Sequence, residues 1–263
     1  MQTAAEKILE KKLVASGLSS EEWKVVQTGL RDRALFSSRV GSVKFLQDAQ
    51  SRLSDLLSNA RNADGALTSR AQLVSDLMRS AREQGIATGR GGLTDPGSSP
   101  RAAVIVDTNA GLARGYAGWV TGASEGARLA FPAQELIRVS PREKPRAWHE
   151  RWSEAGARLY SGRMVALKDD PVWYTISAFG APYPPFDFGS GMGVRDIDFE
   201  EAVSLGVIPP EWKPKADNPV ESFNAALEDD LAVSGEDDPS WRWLSDVFGK
   251  QISLSDGKVR WSD

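Results

Sequence analysis

The sequence predicts an α+β protein, and three patterns carry the prediction. Apolar residues recur at three- and four-residue steps along stretches near 31–58, 68–83 and 102–120, the spacing that places them on one face of a helix. Short extended signals stand apart from these: the run Gln134 to Ser140 (QELIRVS) ahead of Pro141, and Asp256-Gly257 between Ile252-Ser253-Leu254 and Val259-Arg260-Trp261, a hairpin signal. Between them, Asp169 to Gly206 crowds acid pairs, aromatics, prolines and glycines too irregularly for one helix or strand and reads as a shaped loop system.

In chain order, residues 3–16 give a short helical pattern and Ser19-Ser20-Glu21-Glu22 a capped start to a second helix. From Arg31 to Ser58, Phe36, Val40, Val43, Leu46, Leu53 and Leu57 predict one long amphipathic helix whose stripe is either buried in its own chain or offered to a partner. Leu73, Val74, Leu77, Met78 and Ala81 predict a helix over 68–83, closed by Gly85. The glycine-, proline- and serine-rich GRGGLTDPGSSP of residues 89–100 reads as a mobile connection; it lacks a leading strand and a Gly-Lys-Ser/Thr ending, so it is not read as a phosphate loop. A helix over 102–120, the strand at 134–140, a helix from Arg146 to Tyr160 and a short one at 200–205 follow, with 161–194 irregular. The expected division is a helical region 1–99, a mixed core 100–207 and an acidic extension 208–263, whose Trp241, Trp243, Leu244, Val247 and Phe248 dock on the body.

Composition excludes several chemistries. The chain of 263 residues is 41% hydrophobic, enough for a substantial core. It contains no cysteine and one histidine, which removes disulfides, thiolate nucleophiles and any site needing two histidines. No run reaches the length of a membrane span and no signal pattern opens the chain, so no membrane partner is expected. Residues 200–263 carry 14 acids and 6 bases, a net of −8, which leaves +4 on residues 1–199 of the −4 total. The acidic end repels nucleic acid and the body tolerates it.

His149 is a candidate base if the fold delivers a carboxylate to it; the reading preferred is a hydrogen bond to a loop backbone. Asp169, Asp170, Asp187, Asp196 and Asp198 lack the calcium-loop register and read as turn and cap formers, with Asp187 and Asp196 the place where an ion would be sought. Phe179, Tyr183, Phe186 and Phe188 read as packing for the proline turn in preference to a base-stacking platform. Arg138, Arg142, Lys144, Arg146 and Arg151 form a better electrostatic candidate for nucleic-acid phosphates than the aromatics do, with a solvated face the reading preferred.

Taken in order, Asp107-Thr108-Asn109 with Arg114-Gly115-Tyr116, then Arg138 to Arg142 followed by Arg146 and His149, then Asp169-Asp170-Pro171-Val172-Trp173, Tyr183-Pro184-Pro185-Phe186 and Ser190-Gly191-Met192, resemble the phage Mu F-like minor head proteins, also called the phage head morphogenesis domain. The resemblance covers roughly residues 30–207. It implies a non-enzymatic structural protein of a tailed-phage or prophage head, assembled with the portal protein and other head or scaffold proteins. Packaged DNA is a further partner, the virion head is the location, and no cofactor is implied. On this resemblance Asn109, Arg146, His149, Asp169, Asp170, Trp173, Pro184, Pro185, Ser190 and Gly191 are motif positions. Phe36, Val40, Val43 and Leu46 are the candidate portal-facing stripe, and Arg138, Arg142, Arg146 and Arg151 the candidate DNA contacts. Many members pair the histidine with two later cysteines in a metal-stabilised knuckle; this chain has Ser190-Gly191-Met192-Gly193 there, so a zinc site does not carry over and a tight glycine turn with aromatic packing is expected in its place.

Overall fold

The computed structural model describes residues 3–19, 22–23, 25–26, 30–31, 34–59, 67–215 and 233–262. The fold is mixed α+β: helices with three small sheets among the described residues. The chain divides into two compact units, one of residues 2–110 with 221–263 and one of residues 111–220, and the division falls inside a single long helix.

In the first unit, α1 (Ala4–Leu9) opens on a capping box, in which Thr3 Oγ1 accepts from Glu6 N and Glu6 accepts from Thr3 N. The chain then becomes β1 (Lys12–Val14), which pairs in parallel with β2 (Ala34–Phe36). The single helix expected over 31–58 is therefore two elements. Backbone groups at 34–36 are used in the β1 ladder, Arg39 turns through a left-handed φ of 58°, and Ser42 caps α2 (Val43–Leu57) by accepting from Phe45 N at 3.2 Å. This corrects the portal-facing stripe. Val40 and Leu46 are buried, Val43 is exposed on the first turn of α2, and Phe36 lies on β2 with its side chain outside the described set, so the four do not share a helix face.

Helix α3 (Arg70–Glu83) is joined to α2 through buried leucines and a polar ladder. Asp48 accepts from Ser80 Oγ at 2.7 Å and Gln84 Nε2 at 3.1 Å, and Asp76 accepts from Arg52 at 2.8 Å and Gln72 at 3.0 Å and pairs with Arg79. The stretch after it is a built loop, in contrast to the expected mobile connection. Asp95, 3% exposed, accepts from Thr88 N, Gly91 N and Gly97 N at 2.9 Å each, and the Gly91 and Thr88 amides hold its carboxyl below the usual aspartate value. Helix α4 (Ser99–Gly122) follows.

The C-terminal segment belongs to the same unit. Helix α5 (Pro239–Phe248) is capped by Asp238, whose carboxyl is lowered to about 2 by the amides of Ser234 and Ser240. Strands β3 (Ile252–Ser255) and β4 (Lys258–Trp261) form the expected hairpin, with Asp256 and Gly257 both at positive φ as a two-residue turn requires. Leu244, Phe248, Ile252, Val259 and Trp261 share a buried cluster with Val14, Trp23, Val26, Leu30 and Ala34, and Trp261 Nε1 donates to the Leu30 carbonyl at 3.1 Å. The aromatic tail was expected to dock on the 100–207 body; its apolar face closes this core, made with residues 14–34.

The second unit is organised by a three-stranded antiparallel sheet in the order β6-β5-β7, with β5 (Ala133–Arg138) central between β6 (Val165–Leu167) and β7 (Met192–Ile197). Alternation along these strands sends side chains to two buried clusters. Leu136, Ala166 and Met192 join Trp148, Trp152, Trp173 and Phe186, while Ala133, Val165 and Ile197 join Ala202 and Ile208. The helices here are short: Glu125–Ala130, Trp148–Glu154, Val172–Thr175 and Phe199–Ser204. The helix expected over 146–160 thus ends at Glu154, where Gly156 takes a φ of 78°, and the stretch expected to be irregular holds β6, one helical turn and the start of β7.

Candidate functional site

Most motif residues of the second unit gather at one loop, 183–191, while His149 and Asp169 stay exposed outside it. Pro184 and Pro185 are joined by a cis peptide bond, and they lie on the C-terminal half of α4 at Gly111 and Gly115, which have no side chains. A Cβ at Gly111 would touch Pro185 Cδ at 3.4 Å, and one at Gly115 would lie far inside van der Waals distance of the Pro184 carbonyl oxygen. Tyr183 meets Tyr116 edge-on at 5.8 Å and Trp119 at 6.0 Å. Further back on α4, Asn109 is buried and donates to the Ile105 carbonyl at 2.9 Å, a bond within the helix itself.

Beneath the loop, Asp170 starts a helical turn by accepting from Val172 N at 2.8 Å, while Asp169 is exposed. Trp173 is fully buried, donates from Nε1 to the Leu167 carbonyl at 2.8 Å, stacks on Phe186 at 5.9 Å and meets Trp152 edge-on at 5.2 Å. Phe179 and Phe188 pack edge to face at 4.8 Å. These aromatics are spent on packing.

The arginine segment closes the other side. Val139 N and Ser140 N both donate to the Gly191 carbonyl, at 2.9 and 3.1 Å, an approach that glycine alone permits: φ is +68°, and an added Cβ would collide with the Ser140 carbonyl and lie 2.9 Å from Arg142 Nε. Ser190 Oγ donates to the Pro185 carbonyl and accepts from Met192 N. Arg146 donates to the Phe188 carbonyl at 2.8 Å; it and Arg151 each reach Asp187 Oδ2 at 3.3 Å, and Arg151 also lies 5.0 Å over the Trp148 ring. Arg138 donates to the Ser190 carbonyl at 3.3 Å, and Arg142 is exposed. Of the four candidate DNA contacts, then, three already hold the loop.

His149 is exposed, and its side chain makes no hydrogen bond or ion pair among the described residues, so the expected bond to a loop backbone is not made. The carboxylates do not gather. Asp187 faces arginines, Asp196 pairs with Lys168 at 2.9 Å and Asp198 caps a helix through Glu201 N at 2.8 Å; among the described residues no group of three or more histidine or acidic residues is placed to hold a metal ion.

Sequence reasoning missed one cluster, on the opposite sheet face. Glu135 accepts from Arg163 at 2.9 and 2.8 Å and from Arg195 at 2.7 Å, and both arginines reach Glu201, at 2.8 and 3.3 Å. Strand register makes it, by placing Glu135 opposite Arg195. Hydrogen bonding to Arg163 foremost, with Arg195, holds the Glu135 carboxyl below its usual value. A depressed folded value stabilises the fold in full above the unfolded glutamate value of about 4.3, and the contribution is lost as pH falls through the folded value. Glu135→Gln should therefore narrow the drop in Tm between about pH 6 and about pH 3. An acid dependence identical to that of the unchanged chain would show that these arginines do not hold Glu135 ionised.

Comparison with family models, curated proteins and solved structures found no match to this chain. Among the described residues no helix is long and apolar enough to cross a membrane.

Proposed function

We propose that this chain is a non-enzymatic minor head protein of a tailed phage or prophage, acting in head morphogenesis with the portal protein and residing in the virion head. The observation that supports the reading is the convergence of the motif residues. Asp170, Trp173, Pro184, Pro185, Ser190 and Gly191, all within residues 170–191, form one loop assembly that the more distant Arg146 clamps and that rests on Gly111 and Gly115. Each has a positioning role: a cap, a core ring, a close backbone contact or a hydrogen bond to a carbonyl. Such an assembly holds a surface in a fixed shape, which is what a component of a shell requires.

Partner contact then falls on exposed side chains, because the predicted stripe is half buried in its own unit. Val43, on the first turn of α2, is its exposed member. Co-expression with the portal protein of the same phage, followed by size exclusion with light scattering, is expected to give a complex of fixed stoichiometry. Two folded proteins eluting separately would remove the portal from the proposal.

A further inference from the structure

We propose that Arg101, together with Arg39, forms a binding site for a phosphate group, carried by a free phosphate ion or by the phosphodiester of a nucleic acid. This goes beyond the head-protein reading and stands on a different part of the chain.

Arg101 is only 7% exposed, yet no carboxylate among the described residues pairs with it. Its Nη2 donates to Ser37 Oγ at 3.0 Å and to the Ser38 carbonyl at 2.8 Å, both uncharged acceptors. Nε and Nη1 donate to no acceptor among the described residues, and neither is sealed from solvent. A guanidinium in this position lacks the counter-charge that normally offsets its desolvation.

The surroundings add charge of the same sign. Arg101 holds the turn that Arg39 belongs to, for Val40 N donates to Ser37 O at 3.1 Å and Arg39 N to Leu18 O at 2.8 Å. Burial pushes the Arg101 guanidinium down from its ordinary value and Arg39 pushes it the same way. Arg101 also stands in the first turn of the 24-residue helix α4, which has no acid there, although that end of a helix favours negative charge. Two nearby acids are committed elsewhere: Asp95 to the amides of its loop, and Glu22, which feels Arg39, to the amide of Ser19 at 2.7 Å. A buried cation with two open donors, a second arginine and a positive helix end fit a phosphate group, whose oxygens accept charge-assisted hydrogen bonds from single guanidinium N–H groups.

The full chain is titrated calorimetrically with inorganic phosphate, and separately with a short single-stranded oligonucleotide, at one ionic strength fixed with sodium chloride. A saturable heat is expected with at least one probe. Binding should weaken about tenfold or more in Arg101→Met, which removes the charge, and by a smaller factor in Arg39→Gln. Arg39 is exposed, so its variant keeps the fold and decides the matter even where Arg101→Met unfolds. Phosphate alone binding assigns the site to a free anion; the oligonucleotide binding with loss in both variants assigns it to nucleic acid. No saturable heat with either probe, or affinities unchanged by Arg39→Gln, overturns the proposal.

Discussion

Gly115→Ala is expected to destabilise the 111–220 unit by about 2–3 kcal/mol, although the same exchange at an open helical position stabilises by up to about 1 kcal/mol. The sign reverses because the new methyl would be driven into the Pro184 carbonyl oxygen and stand 3.0 Å from Tyr183 Cδ2. The oxygen belongs to the backbone, so it cannot swing aside as the end of a flexible side chain does. Either α4 or the whole 183–191 loop has to retreat, and with the loop go the contacts of Tyr183 with Tyr116 and Trp119. Gly118 supplies the control one turn on: it is exposed and nothing lies within 4 Å of its added Cβ, so Gly118→Ala should match or exceed the unchanged chain. Urea unfolding of both variants checks the pair. Equal behaviour would mean that the proline loop does not rest on α4.

The contrast between these glycines shows what a sequence can and cannot disclose. Helix α3 and strand β5 were legible because each carries its own periodicity, and the β3–β4 hairpin because Asp-Gly suits two successive positive φ angles. The strand at 34–36 was not legible. Its apolar residues continue the spacing of α2, and only the partner strand at 12–14, twenty residues away, turns that segment into a ladder. Trp173, Pro184, Pro185, Ser190 and Gly191 were named in advance, but their convergence rests on backbone contacts that leave no composition signal. Glu135 and Arg195 went unnoticed for a related reason: they face each other across a register set by the whole sheet, sixty positions apart in the chain. Arg101 carries no signal in the sequence, because the Ser37–Ser38 turn it bonds to lies more than sixty positions away.

Trp173→Ala should cost about 3–5 kcal/mol, the range for deleting a fully buried aromatic side chain without complete collapse of the space it leaves. The void would open between Phe186, on the proline loop, and Trp152, on the helix that follows the arginine segment, so both walls of the candidate site lose their common support. The Leu167 carbonyl at the end of β6 would lose the indole donor and keep the Asp170 amide at 3.1 Å. Trp173→Phe separates the contributions: it keeps a ring against Phe186 and forfeits the indole N–H, so its loss should be nearer about 1–2 kcal/mol. If the chain binds a portal as proposed and Trp173 acts only as this support, that association should follow folding, retained by Trp173→Phe wherever that variant is folded and absent from Trp173→Ala wherever it is not. A folded Trp173→Phe protein that no longer elutes with the portal would instead show that the indole N–H, through the Leu167 carbonyl, positions a surface that the partner reads. Stability of Trp173→Ala within about 1 kcal/mol of the unchanged chain would contradict the burial on which the argument rests.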